Sequence, residues 1–205
     1  AGTVNFPVYY ALSTRQANVL NLGVGGIDST LNYHFDTAND GGFDAGVDVS
    51  SFLLFRQHLK GGPSFSVLGS TGANNTFGSV PIQARFHLGW DYDGFGVTGF
   101  VRYISAYHNY TSGSASSPSQ PTINGLPYVA GATVVNPSAT LDLHVSYTFS
   151  DEALWGQQLA GSEVFVDAEN LLDHAPSFYN SSTGYDGYTG NPIGRLVSFG
   201  FRARF

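Results

Sequence analysis

Charged side chains are few in this chain, and where they occur they alternate with apolar ones. Between Ser138 and Phe149, Asp142 and His144 share a phase with Thr140, Ser146 and Thr148. The opposite phase is Ala139, Leu141, Leu143, Val145, Tyr147 and Phe149. Arg85 and His87 sit in the same way among Ala84, Phe86 and Leu88. Period two sends alternate side chains to opposite faces of a strand. Asp28, Asp48, Arg85, Arg102, Asp142, His144, Asp167, Glu169, Arg202 and Arg204 are therefore expected on one polar, inward face. Such a face can line a solute path, because charges facing water in a pore tune what passes. It can also form a structural ladder, with Glu163, Asp167 and Glu169 pairing to Arg202 and Arg204 across the last hairpin. Paired charges are most often structural, so the ladder is the favoured expectation.

Other constellations fall away. Asp91-Tyr92-Asp93-Gly94-Phe95-Gly96 starts like a calcium loop but lacks the later ligands and the closing Glu. A tight turn that uses Asp and Gly for their backbone preferences is expected there. His34, His58, His87, His108, His144 and His174 are scattered without metal-ligand spacing. Cysteine is absent, which removes disulfides and thiolate metal sites, and no G-x-S-x-G element appears. No metal, cofactor or catalytic activity is expected. A net charge of -7 argues against nucleic acid as a partner. The better binding candidates are aromatic. Tyr107, His108, Tyr110 and Tyr128 flank the connection at 109–135, and Tyr179, Tyr185 and Tyr188 lie in that at 173–194. Tyrosine offers an apolar ring with a polar tip at low entropy cost, which suits capture of a small molecule. The alternative is that these rings only stiffen the loops or top the outer girdle.

The elements that must position these residues are strands. Alternation is clean over 26–36, 81–92, 138–149 and 196–205, looser over 43–59, 95–108 and 162–172, and a short strand is expected at 3–10. That makes about eight, most of a length that crosses a bilayer at a tilt, which takes about 9–11 residues. Only 11% of the 205 residues are charged while 15% are aromatic, against roughly 25% charged in an ordinary soluble domain. No apolar run is long enough for a membrane helix, and the segment Ala1–Tyr10 has no basic, signal-like start. A soluble sandwich would bury its apolar face, whereas a membrane barrel turns it to lipid. Tyr33 and Phe35, Trp90 and Tyr92, and Tyr147 and Phe149 each end an apolar stripe just before a short connection. Such gathering at one end is the pattern of an interfacial aromatic girdle, so an antiparallel transmembrane β-barrel is expected. Short links near 37–42, 91–95 and 150–161 alternate with long ones near 60–78, 109–135 and 173–194. By the same pattern the short ones are periplasmic and the long ones extracellular.

Towards the C-terminus the residues carry a family likeness. The segment after Glu163 contains Asn170-Leu171-Leu172-Asp173, then Pro176, then Gly184-Tyr185-Asp186, then Asn191-Pro192 with Gly194-Arg195. A closing strand follows with Val197, Phe199, Phe201, Ala203 and Phe205 in one phase. This resembles the C-terminal end of TonB-dependent outer-membrane receptors. "NLGVGGIDSTLNYHF" and "ARFHLGWDYDGFGVTGFVRYISAY" are similar to earlier hairpins of that family.

The resemblance implies that residues 1–205 are the C-terminal part of a 22-stranded barrel, with the plug domain and TonB-binding segment lying elsewhere. It implies an outer membrane of a Gram-negative bacterium, and energised uptake of an iron chelate, vitamin or glycan through TonB acting on the plug. Implied partners are lipid, the rest of the receptor and the outer-membrane assembly machinery, with Phe199, Phe201 and Phe205 as the assembly signal. Asp142, His144, Asp167, Glu169, Arg202 and Arg204 would then face the lumen and its plug. Two other readings remain: a small autonomous barrel with an adhesive or structural role, and a secreted β-protein of a surface layer or filament.

Overall fold

The computed structural model describes residues 20–71, 79–109, 122–123, 126–127, 133–150, 159–179 and 183–204. They form the strands β1 (Leu20–Asp36), β2 (Gly42–Leu59), β3 (Ser64–Ser66), β4 (Ser70–Thr71), β5 (Ile82–Tyr92), β6 (Phe95–Ile104) and β7 (Tyr107–Asn109). Further along are β8 (Thr122–Ile123), β9 (Leu126–Pro127), β10 (Thr133–Val135), β11 (Ser138–Thr148), β12 (Glu163–Glu169) and β13 (Leu196–Arg202). The fold is all-β. One large antiparallel sheet runs β1-β2-β5-β6-β11-β12-β13, with β3 added against β2. Each long strand thus neighbours the next long strand in the chain, an up-and-down meander.

Turn chemistry explains the meander. Asp93 and Gly94 join β5 to β6 with φ of 48° and 82°, and positive φ at both central residues is what a type I′ hairpin turn requires. The "DYDGFG" segment is therefore a turn, as its residue types indicated. The long β1–β2 pair contains a bulge: Gly25 faces Leu54 but Gly26 faces Phe52, leaving Leu53 as the extra residue. A bulge interrupts the alternation of the bulged strand, which is why the sequence over 43–59 lacks a clean period. Strand β12 ends at Glu169, because the next residue, Asn170, has a φ of 48° and leaves the extended region.

Two strand expectations need revision, and closure into a barrel is not shown. The sheet is open, because among the described residues β1 pairs only with β2 and β13 only with β12. A barrel closes only when its first and last strands pair, so closure is not achieved by these strands. The strand expected over 95–108 stops at Ile104, and Tyr107–Asn109 leaves the large sheet to join a small one of order β10-β7-β4. The strand expected over 162–172 ends three residues early, at Glu169. The short strand expected at 3–10 lies outside the described residues.

Candidate functional site: two faces and a capped end

The register stacks like with like across the sheet. Tyr33, Ala45, Leu88, Gly99, Leu143, Ala168 and Val197 form one continuous row. Phe35, Phe43, Trp90, Val97, Val145, Val166 and Phe199 form the next. Leu88 is 62% exposed and Phe199 80% exposed, and Leu31, Phe86 and Phe201 are exposed as well. Nothing among the described residues covers this face. Its aromatics collect towards the short-turn end: Phe35 stacks on Phe43 at 5.1 Å, and Phe95 meets Tyr147 at 4.5 Å. Tyr147 in turn meets Phe149 edge-on at 5.2 Å. Trp90 donates its indole N–H to the Asp40 carbonyl at 2.7 Å, so its ring lies apolar while its one polar atom is satisfied.

The opposite face carries the charges. Thr30 donates to Asp48 at 2.7 Å. His87 reaches Asp44 at 2.7 Å, and His144 reaches Asp167 at 2.6 Å. Glycine makes the first of these His–Asp contacts possible, because a Cβ on Gly46 would lie 2.2 Å from the His87 ring. The expected ladder in the last hairpin is reduced to one ion pair, Arg202 with Glu163 at 2.5 Å. Register is the reason: Asp167 stands opposite Ser198 and Glu169 opposite Leu196, while Arg204 lies beyond the last paired residue. Two rings escaped the sequence reading, Phe100 and Phe165, which fall on the polar face. Each carries a guanidinium, Arg85 at 4.4 Å from the Phe100 centroid and Arg202 at 5.7 Å from that of Phe165. The broken alternation in 95–108 was the only signal for Phe100.

At the long-loop end a second, smaller core forms from Val80, Ile104, Tyr107, Val135 and Tyr179. Tyr107 is only 2% exposed. Its hydroxyl donates to the buried Asp186 carboxylate at 2.7 Å and contacts the Thr189 hydroxyl at 2.9 Å. Burial pushes its phenol well above the ordinary tyrosine range, opposed by the Thr189 hydrogen bond and reinforced by Asp186. Tyr179 is buried beside it and bonds Thr71 at 2.9 Å. These two rings hold loops to strands. Among the other tyrosine candidates, Tyr188 is fully exposed, Tyr185 is half-buried and His108 is exposed. Tyr110, Tyr128 and Phe205 lie outside the described residues.

The Asn-Leu-Leu-Asp and Gly-Arg motifs meet in a clasp. Asn170 bonds His174 twice, through its side-chain oxygen and its amide group, both at 2.9 Å. The Asp173 carboxylate accepts the Arg195 backbone N–H at 2.9 Å. The Arg195 guanidinium reaches back to the Leu171 carbonyl at 3.3 Å. Gly194, at φ 77°, leaves room for Asp173, since a Cβ there would sit 2.7 Å from its oxygen. Below the clasp, on the polar face, lies a cavity of about 230 Å³ bounded by Arg102, Asp142, Glu169, His174 and Asn191. Long-range folding assembles it, and no spacing in the sequence pointed to it. Among the described residues no group of three or more His, Asp or Glu is placed to hold a metal ion. Comparison of the chain with family models, with curated proteins and with solved structures returned no match.

Proposed function

We propose that this chain forms part of the wall of an outer-membrane β-barrel, the C-terminal portion of a TonB-dependent receptor that takes up a scarce solute. The observation that carries this reading is the uncovered apolar face. Contiguous exposed apolar patches beyond a few hundred Å² are rare on soluble monomers and mark contact with a membrane or partner. Strand dimensions favour lipid. Ile82–Tyr92 has 11 residues with the apolar phase at both ends. At about 3.3 Å per residue and a tilt near 45° it spans roughly 24 Å of membrane height. The apolar band of outer-membrane barrels is about 25 Å tall. Aromatics at one end, tight turns at that end and elaborated loops at the other support the same reading.

The open edges support the fragment reading. A strand edge in hydrocarbon leaves backbone groups unsatisfied at a cost of several kcal/mol each, so β1 and β13 need further strands beside them. The clasp gives a structural role to the residues that carry the family resemblance. In this reading the wall supplies no catalysis: it encloses the path, and energy for passage comes through TonB and the plug. Because the chain contains no cysteine, spin labels can be placed at single cysteines introduced one at a time over 84–91. In native outer membrane, collisional access to oxygen should peak at positions 86, 88 and 90 and fall at 85, 87 and 89. A flat profile would exclude the lipid-facing wall. Uptake assays with and without a proton gradient then test the transport role.

A further inference from the structure

The cavity under the clasp is lined by side chains of opposite charge from three strands. Arg102 comes from β6, Asp142 from β11 and Glu169 from β12. Asp142 gives one carboxylate oxygen to the Asn170 backbone N–H at 2.8 Å. Among the described residues no ion pair joins Arg102 to Asp142 or to Glu169. Strand β11 stands between β6 and β12, so the Arg102 and Glu169 backbones are two strand spacings apart, roughly 10 Å. A cation and two carboxylates thus line one space, and among the described residues no ion pair joins them.

We propose that this cavity binds a small zwitterion of amino-acid or dipeptide size. Its anionic group lies towards Arg102 and its ammonium towards Asp142 and Glu169. Arginine is the side chain best shaped to take a carboxylate through two parallel N–H bonds. Charge-assisted hydrogen bonds at both poles favour a guest carrying both signs over one carrying either alone. The volume of about 230 Å³ falls below the range of about 300–1,000 Å³ that accommodates drug-sized ligands, which fits a small guest. A sugar is disfavoured, because no Phe, Tyr or Trp ring lines the cavity to stack against it. A dianion is disfavoured by the two carboxylates. The proposal rests on these side chains and not on the membrane placement, so either can fail without the other.

Isothermal titration of the purified full-length protein in detergent tests it, with glycylglycine, acetate, ethylammonium and glucose as probes. Glycylglycine should bind tightest, with acetate and ethylammonium at least about tenfold weaker and glucose silent. The factor follows from losing one charge-assisted hydrogen bond. Arg102→Gln and Glu169→Gln should each weaken glycylglycine by at least about tenfold, on the same basis. Tyr188→Ala, on the same loop but outside the cavity, should leave it unchanged. The proposal is overturned if glucose binds as well as glycylglycine, if no probe binds, or if both variants keep unaltered affinity. The ranking of the four probes on the unaltered protein decides the matter even where a variant fails to fold.

Discussion

Leu88→Arg separates a wall in lipid from a wall in water. Leu88 sits in the middle of the apolar row on β5, between Ala45 on β2 and Gly99 on β6, and is 62% exposed. If water covered this face, the substitution would remove little. Only about a third of the side chain is buried, so at most about 0.6–1 kcal/mol of burial is at stake. The aliphatic stem of arginine would recover much of that. If lipid covers the face, Leu88 lies near the midplane of the apolar band, where an arginine costs about 2–4 kcal/mol. The expected difference exceeds about 2 kcal/mol, or roughly thirtyfold in an equilibrium constant. Thr98→Arg is the matched comparison. It is one residue from Gly99, at the same depth, on the polar face, with Gly89 opposite leaving room. Denaturant titration of the full-length protein folded into lipid vesicles reads both. A Leu88→Arg penalty below about 1 kcal/mol, or equal penalties at the two sites, would refute the lipid-facing wall.

Further outcomes follow from three contacts. Gly200 lies under the Phe165 ring, and a Cβ there would sit 2.0 Å from the ring carbon, so Gly200→Ala should destabilise by about 1–3 kcal/mol as overpacking does. The double variant Gly200→Ala/Phe165→Ala should recover part of that loss in the same denaturant titration. Tyr107→Phe leaves the buried Asp186 one donor short and should cost about 1–3 kcal/mol, read as faster proteolytic cleavage within 173–194. The folded Tyr107 phenol titrates above its unfolded value of 10.0. Its contribution is therefore complete below pH 10 and is lost as pH rises further, because the unfolded chain then sheds the proton first. Loop protection in the unaltered protein should decline above pH 10 more steeply than in Tyr107→Phe. Glu163→Gln should change stability by less than about 1 kcal/mol, since the Arg202 side chain it pairs with is 73% exposed and such pairs contribute little.

Much of the sheet was legible because its two faces differ in composition. In β5 and β11 every second residue is apolar, and both strands occur within one residue of where the alternation places them. Legibility failed where one strand carries two patterns. Leu53 is inserted as a bulge and shifts the register between β1 and β2. Register places Phe100 and Phe165 on the polar face, where a guanidinium lies over each ring. The loop-end core was hidden for a different reason. Tyr107 and Asp186 are 79 residues apart in the chain, and nothing local to either residue announces the other. Exposure cannot be read from residue type, so Tyr107 and Tyr188 look equivalent in sequence and differ completely in the fold. The motif around Asn170 was recognisable, but its hydrogen bonds to His174 and the Asp173–Arg195 contact needed coordinates.

The rim of the sheet is stepped, and the step bears on the direction from which the cavity would be reached. Strand β5 begins at Ile82, opposite Ser51, which itself faces Ile27. Past that level β1 and β2 continue alone to the Leu20–Leu59 pair, with β3 alongside β2. Seven more residues of β1 amount to roughly 20 Å of extra height. On the far side β6 stops at Ile104 and β12 at Glu169, where the clasp and its cavity lie. If the cavity takes a solute as proposed, the described strands would screen an approach over β1 more than one over β12. Trimming the β1–β2 extension would then raise the on-rate of the probe without touching any residue that lines the cavity.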